Sequence, residues 1–436
     1  LSKEVRSGKG WGLSAGTIAF FAGFAAVALY GVTVHRIAPI LHLSIIQIGW
    51  LVAIPITTGA FLRIPFSAWV DSWGGRKVLL TQLIIAIIGM AGLVGTVNGV
   101  VHHSLLGTTA YALLLFFGAL AGTGVSTFSS GITYVSYWFP KSEQGTALGT
   151  YAGIGNTAPG IFTVILPFAL ISVGLVGAYV GWLVFLVIMT IIFAVIGWDN
   201  YYQQLLKKGM PEGEARKKAS ALGQEIFPTN AKSTLAKSAR HWQTWLMVVM
   251  YFISFGGFEA LTEWLPTYWT KFLGISIVEA GLLTGVVYSL ITALTRVPGG
   301  YVSDKWGGEK TSLTSYIILV IGALIMMASR SVGLSIVGEV IMATGMGVAN
   351  AAVFKLIPKY MPEAVGGGSG WIGGLGSGGG LAIPPTLAAF VAMMGKIGFA
   401  YGFIVYVIFG IVSAIFSAIF LKLYGKYRHS ITEKSL

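Results

Sequence analysis

The stretch Arg63-Ile64-Pro65, followed by Asp71-Ser72-Trp73-Gly74-Gly75-Arg76-Lys77, returns 233 residues later as Arg296-Val297-Pro298, followed by Asp304-Lys305-Trp306-Gly307-Gly308-Glu309-Lys310. The chain is therefore a duplication. Each copy opens with an arginine inside an apolar run, and a charge at bilayer depth costs roughly 2.5 to 3.5 kcal/mol on insertion scales. Neither run carries a carboxylate beside its arginine. A negatively charged partner must come from elsewhere, and a transported anion is the first candidate.

Composition places the chain in a membrane. Of 436 residues, 55% are hydrophobic and 10% charged, against about 25% charged in a soluble protein. Apolar runs near the ~20 residues that cross a bilayer as helix fall at about 12–38, 46–70, 78–101, 109–138, 145–171 and 175–198, and again at about 242–269, 277–303, 312–329, 332–358, 368–394 and 400–423. The pattern predicts an all-α membrane protein of twelve transmembrane helices in two pseudo-symmetric six-helix bundles. The bundles span residues 1–198 and 242–436, the second ending in a short tail. Between them, the polar stretch 199–241 reads as a connector with a short amphipathic helix around 211–222.

A formal charge of +13 suggests nucleic acid at first sight, but the basic residues are sided. Segments on the face of the N-terminus hold 22 of the 28 Lys and Arg, the opposite face only Arg36, Lys271, Arg330 and Lys396. By the positive-inside rule both termini are expected in the cytoplasm, with lipid and a small solute as partners and no nucleic acid. The chain has no cysteine, so thiolate metal sites are excluded. The adjacent His102 and His103 read as a solvated loop, and neither metal nor cofactor is expected. No cleavable signal pattern opens the sequence.

A second repeat lies three spans after each arginine phrase. Gly145, Gly149, Gly153 and Gly155 with Asn156 match Gly366, Gly370, Gly374 and Gly376 with Ser377 at an offset of 221. Glycines four apart share one helix face, which lets neighbouring backbones approach and slide. Pro55, Pro65, Pro159, Pro167, Pro298, Pro384 and Pro385 fall inside predicted spans, where each favours a kink.

The paired phrases match the loop signature of the major facilitator superfamily through Asp71, Gly74 and Arg76, and through Asp304 and Gly307. The second copy departs from it by carrying Glu309 where the first has Arg76. Further segments resemble the nitrate/nitrite porter family of that superfamily. They are Thr123-Gly124-Val125-Ser126-Thr127-Phe128-Ser129-Ser130 with Trp138-Phe139-Pro140-Lys141, Gly145 through Asn156, Val353-Phe354-Lys355-Leu356-Ile357-Pro358, and Gly366 through Gly380. The resemblance implies alternating access, in which the loop aspartates cap and pair across the cytoplasmic interface and let go when the bundles rock. It also implies that Arg63 and Arg296 hold a small inorganic anion, nitrate or nitrite. Phe128 and Tyr251 would sandwich the anion, Asn156 would line the site, and Phe255 would help close it.

The residue chemistry agrees with a planar monovalent anion. Arg63 stands eight residues before Asp71, about 12 Å along a helix at 1.5 Å per residue, and Arg296 stands equally far before Asp304. Guanidinium offers a planar fork of donors that stays protonated, and flat aromatic walls disfavour tetrahedral anions. Two arginines with no carboxylate in the first half make an empty site costly to close, which favours exchange of nitrate for nitrite. Proton-coupled nitrate uptake through Glu259 or Glu339, exchange of small carboxylates such as oxalate or formate, and a non-transporting anion sensor remain as alternatives. An enzyme is not expected, since no nucleophile, base and orienting group come together. A monomer in a prokaryotic cytoplasmic membrane is expected.

Overall fold

The computed structural model describes residues 5–140, 143–227, 231–361 and 364–434. Lys141 and the packing of Gly145 lie outside the described residues. Among the described residues twelve helices are long and apolar enough to cross a membrane. Spans 1 to 6 are Lys9–Ala28, Ile45–Trp73, Gly75–Val101, Gly107–Ser136, Ala147–Ser172 and Gly174–Ile196. Spans 7 to 12 are Trp242–Phe272, Ile277–Trp306, Gly308–Ala328, Val332–Tyr360, Val365–Tyr401 and Ile404–Leu423. Among the described residues there are no strands.

The duplication is visible in how the helices begin, bend and end. Span 2 opens on a capping box in which Ser44 accepts from the Gln47 amide, and span 8 opens on the same device with Ser276 and Glu279. Counting from these caps, Arg63 is the nineteenth residue onward and Arg296 the twentieth. The extra residue of span 8 is absorbed by a π-helical stretch, Leu283–Leu290. Such a stretch is how a helix takes in one residue without ending, and it brings Arg296 back to the position its counterpart holds. Both spans then end on a glycine of the same left-handed conformation, Gly74 at φ 91° and Gly307 at φ 89°.

The Gly-rich helices break at equivalent places. Span 5 is interrupted between Gly155 and Ala158, and span 11 between Gly376 and Gly379. Asn156 and Ser377 sit at these breaks. Span 1 is shorter than its apolar run suggests. Its helix gives way at Ala25–Ala28, runs as turns, and restarts at Val34–Leu41, which leaves the Tyr30 amide free to serve a side chain of span 7.

The two sets of six spans meet closely at the end away from the termini. A methyl on Gly31 would come within 2.9 Å of the Glu263 carbonyl, one on Gly281 within 2.8 Å of the Thr163 carbonyl, and one on Gly49 within 3.1 Å of the Pro384 carbonyl. The His35 ring also bonds the Thr270 hydroxyl there. At the basic end that carries the termini, Gly149 and Gly366 face open space and Gly153 meets only Val297, at 3.7 Å. Among the matched glycines whose packing is described, the tightest contacts lie at the inner ends of the two runs. A methyl on Gly155 would strike Phe20 at 1.8 Å, one on Gly376 would lie 2.8 Å from Tyr251, and one on Gly374 would lie 3.0 Å from Ile64. Gly370 meets only Leu235 of the connector, at 3.3 Å. The physical reason is that the halves stand apart at the basic end.

The loop aspartates follow from the same separation. Asp71 lies in the last turn of span 2 and accepts from Tyr137 of its own half, and Asp304 pairs with Lys355 of its own half. Among the described residues neither caps a helix or pairs across the halves, whereas the resemblance implies such pairing in the opposite state. The cap on span 3 is supplied instead by Asp199, whose Oδ1 accepts from the Arg76 amide at 2.9 Å, while the Arg76 side chain donates to the Ala194 carbonyl at 2.6 Å. Glu309 takes Lys359 at 2.5 Å and the Tyr360 hydroxyl at 2.8 Å, so the departure from the first copy is matched by its own partners.

Among the described residues the 199–241 stretch holds three short helices, Tyr201–Lys207, Glu212–Ala221 and Ala231–Ala239. It is pinned at both ends rather than free. Gln203 donates to the Val70 carbonyl at 2.9 Å, and the Trp371 ring donates to the Leu235 carbonyl at 3.0 Å.

Replacing Gly74 or Gly307 by alanine forces a Cβ into left-handed backbone, at about 1–2 kcal/mol. Each variant is expected to melt a few degrees lower in detergent, whereas Gly149→Ala, facing open space, melts with the parent. Equal melting of all three would show that the positive φ is dispensable.

Candidate functional site

Arg63 and Arg296 come from equivalent helices and converge on the same two rings. The Arg63 guanidinium carbon lies 5.1 Å from the centre of Phe128 and 5.2 Å from that of Phe255. The Arg296 carbon lies 5.9 Å and 5.8 Å from those rings, and 5.7 Å from Phe354. A cation over a ring face is attracted by the ring quadrupole, by about 2 kcal/mol or more where water is excluded. Arg63 is fully buried, and Arg296 is half-buried.

Each ring is placed by a local irregularity of its helix. Span 4 tightens into a 3-10 turn at Thr123–Ser126, just before Phe128. The Tyr151 hydroxyl then donates to the Thr127 and Phe128 carbonyls at 3.0 and 2.9 Å, which fixes the backbone under the ring. Span 7 widens into a π stretch at Phe252–Gly256 that carries Phe255. Tyr251 and Phe255 stack at 4.8 Å, and Phe255 stacks on Phe128 at 5.5 Å. The resemblance implies that Phe128 and Tyr251 sandwich the anion, and here each of the two rings stacks on Phe255. Phe255 fills the space between them, because the widened turn lays it flat on Tyr251.

Arg63, for which a transported anion was the first candidate partner, already has a carboxylate from the second half. Its Nη2 donates to Glu259 Oε1 at 2.9 Å with both side chains at 0% exposure, and its Nη1 donates to the Gly373 carbonyl at 2.8 Å. The Ser377 hydroxyl, at the break of span 11, donates to the other Glu259 oxygen. The partner was hidden because it lies 196 residues away, on span 7 of the other half. Gly373, Phe354 and Ser377 likewise join the site, none of them having been assigned to it from the sequence. The pairing of Ser377 with Asn156 in the repeat was the signal that pointed to it.

Polar groups remain without partners around these charges. Arg63 Nε, Arg296 Nη1, the Tyr251 hydroxyl and both amide atoms of Asn156 are buried with no hydrogen-bond partner among the described residues. Asn156 ends the first helix of span 5, which packs on span 8. Its side chain makes no hydrogen bond to either arginine. Glu339 is also buried with both oxygens unpartnered, but within the second half beside Trp269 and apart from the arginines. Buried donors of this kind cost free energy unless something accepts from them, and Arg63 Nε, Arg296 Nη1 and the Tyr251 hydroxyl belong to a centre of two guanidiniums and one carboxylate. Among the described residues no cluster of His, Cys, Asp and Glu has the makings of a metal site.

A helical protein built from two six-span repeats around a central pair of intramembrane arginines is a transporter fold, and the comparisons bear this out. Residues 16–286 and 269–435 match the Major Facilitator Superfamily. A probable nitrate/nitrite antiporter of Thermus thermophilus is 30% identical over 403 residues, covering 87% of this chain and 84% of that protein. A probable nitrate transporter of Staphylococcus epidermidis is 26% identical, covering 92% and 93%. A nitrite extrusion protein of Bacillus subtilis is 26% identical, covering 90% and 89%. The chain belongs to the major facilitator superfamily and, within it, to the nitrate/nitrite porter family. In fold it is similar to the E. coli xylose transporter XylE in a partially occluded inward-open conformation, with TM-score 0.70, 14% identity, and 95% and 99% of the two chains covered.

Removing one partner of a buried ion pair leaves an uncompensated charge, at about 3–5 kcal/mol. Arg63→Met should therefore lower the melting temperature in anion-free detergent more than Arg296→Met. Adding Glu259→Gln to Arg63→Met should recover part of the loss. Equal melting of the two single variants would mean that the Arg63–Glu259 pair contributes little to the fold.

Proposed function

We propose that this protein carries nitrate and nitrite across the membrane by alternating access, with residues 1–198 and 242–436 rocking as two bundles about the Arg63–Arg296 centre. The observation that carries this is the convergence of two guanidiniums, each with an unpartnered buried N–H, on the shared faces of Phe128 and Phe255. Charge-assisted bonds from such donors to oxygen are roughly twice as strong as neutral ones, and the flat rings suit a planar anion. Tyr251 and Asn156 add an unpartnered hydroxyl and amide. The names of the relatives support the same cargo, and that of the Thermus protein supports exchange.

The basic end is taken as cytoplasmic by the positive-inside rule. The open space at Gly149 and Gly366, together with loop aspartates paired within their own halves, then corresponds to a carrier open to the cytoplasm. The protein works as a transporter rather than an enzyme, as a monomer in a bacterial cytoplasmic membrane. Proton-coupled uptake is favoured as a second mode by one observation. Glu259 supplies the counter-charge that exchange was expected to require of the incoming anion.

Proteoliposomes preloaded with nitrate should release it rapidly into external nitrite and slowly into sulfate. Arg63→Lys and Arg296→Lys keep the charge but lose the planar fork, and each should slow counterflow by about tenfold or more, the equivalent of roughly 1.4 kcal/mol. Parent-like rates in both variants would mean that the arginines act only as a diffuse positive field. Preference for formate or oxalate over nitrate would change the cargo.

A further inference from the structure

Glu263 is the buried acid that the anion site does not use. It lies one helical turn beyond Glu259 on span 7, in the continuous helix Gly257–Thr267, so the two carboxyls share one face. Its surroundings belong to the other half of the molecule. The break in span 1 turns the amides of Leu29, Tyr30 and Gly31 toward it, that of Tyr30 at 3.5 Å from Oε1, while Oε2 has no partner. Glu263 is 0% exposed, and it forms part of the contact that closes the end away from the termini.

The titratable groups facing Glu263 are Tyr30 on the span 1 turn and Tyr179 on span 6, whose hydroxyl is shared with Thr33 at 2.9 Å. Farther out stand His35 and Lys271. Burial holds the His35 imidazole down at about 4, so it is neutral at ordinary pH. Among the described residues no basic side chain pairs with Glu263. A neutral acid is far cheaper to bury than an unpaired charge. Closing this end therefore favours the protonated carboxyl, and opening it gives the carboxylate water.

We propose that Glu263 is a proton-loading site at the outer gate that passes its proton to Glu259, giving the carrier a proton-coupled uptake mode alongside exchange. Opened outward, the Glu263 carboxylate takes a proton from external water. The proton moves one turn inward to the Glu259 carboxylate, and Glu263 takes a second proton from external water before that end closes, so one proton crosses with each anion. Glu259 becomes neutral and lets go of Arg63, and a monovalent anion takes its place, so the charge around the arginines is unchanged. Opened to the cytoplasm, the anion leaves, Glu259 loses the proton to water on that side, and the ion pair reforms. The Arg63–Glu259 pair in a carrier open at the basic end is the arrangement that follows release. In exchange, an anion occupies the arginines on both strokes and Glu259 keeps its proton, so Glu263 is not needed.

This inference rests on Arg63 and Arg296 being the anion site, and two assays on the full chain in proteoliposomes separate it from that reading. The first is nitrate/nitrite counterflow at equal pH. The second is nitrate accumulation into alkaline vesicles holding no counter-anion, with an internal pH dye reporting proton entry. The parent should accumulate nitrate with accompanying protons. Glu263→Gln should keep counterflow within about twofold. Its gradient-driven uptake should fall by about two orders of magnitude, the usual size of a lost proton-transfer group. Glu263→Asp should recover part of the uptake. Parent-like accumulation in Glu263→Gln overturns the proposal, and so does equal loss of both activities, which marks a structural role. Counterflow in the parent without any gradient-driven uptake overturns it while leaving the anion site standing. Absence of both in the parent removes the anion site itself.

Discussion

The structure depends on a guanidinium and a carboxylate that meet 2.9 Å apart with both side chains fully buried. Arg63 comes from span 2 and Glu259 from span 7, so the pair exists only while the two halves are held together at their centre. Desolvating both charges is costly, and the geometry has to return that cost through further hydrogen bonds. Those bonds come from the Ser377 hydroxyl and the Gly373 carbonyl. Both belong to span 11, beside the break that the glycine run makes possible. An ion pair, a helix break and a glycine-rich face are thus one device. Loosening any of them changes the charge that a bound anion would meet.

The device is asymmetric in a molecule that is otherwise a repeat. The two arginines, the two capping boxes, the two left-handed glycines and the two helix breaks all correspond. The carboxylate does not. Among the described residues Glu259 has no counterpart facing Arg296, whose Nη1 is left without a partner. Asn156 stands free where Ser377 is engaged. Two similar halves therefore present one neutralised and one unneutralised arginine, so the two sides of the centre are chemically distinct.

Opening and closing are divided between the ends. Away from the termini, backbone meets backbone at Gly31, Gly281 and Gly49, and such contacts leave no room for water. At the basic end the glycine faces stand apart and the loop aspartates are satisfied inside their own halves. A rocking motion that closes this end brings Gly149 and Gly366 toward their neighbours without a side chain to displace, which is the physical use of glycine there.

Much of this was legible in the sequence. Hydropathy gives the number of spans, because a backbone in lipid must satisfy its own hydrogen bonds and does so as helix. The 233-residue repeat gives the two arginines and their depth, because a helix advances by a fixed rise per residue. The glycine at the end of spans 2 and 8 needs only the local backbone to explain it. Local signals cannot carry what joins distant residues. Glu259 lies 196 residues from Arg63, and nothing in either run shows that they touch. The one-residue π insertion in span 8, the flat stacking of Phe255 between Phe128 and Tyr251, and the meeting of Glu263 with the broken end of span 1 are equally silent in one dimension. Helix-forming apolar sequence fixes which segments cross the membrane. Only packing of the two halves decides which buried charge faces which, because that depends on the rotation and separation of whole helices.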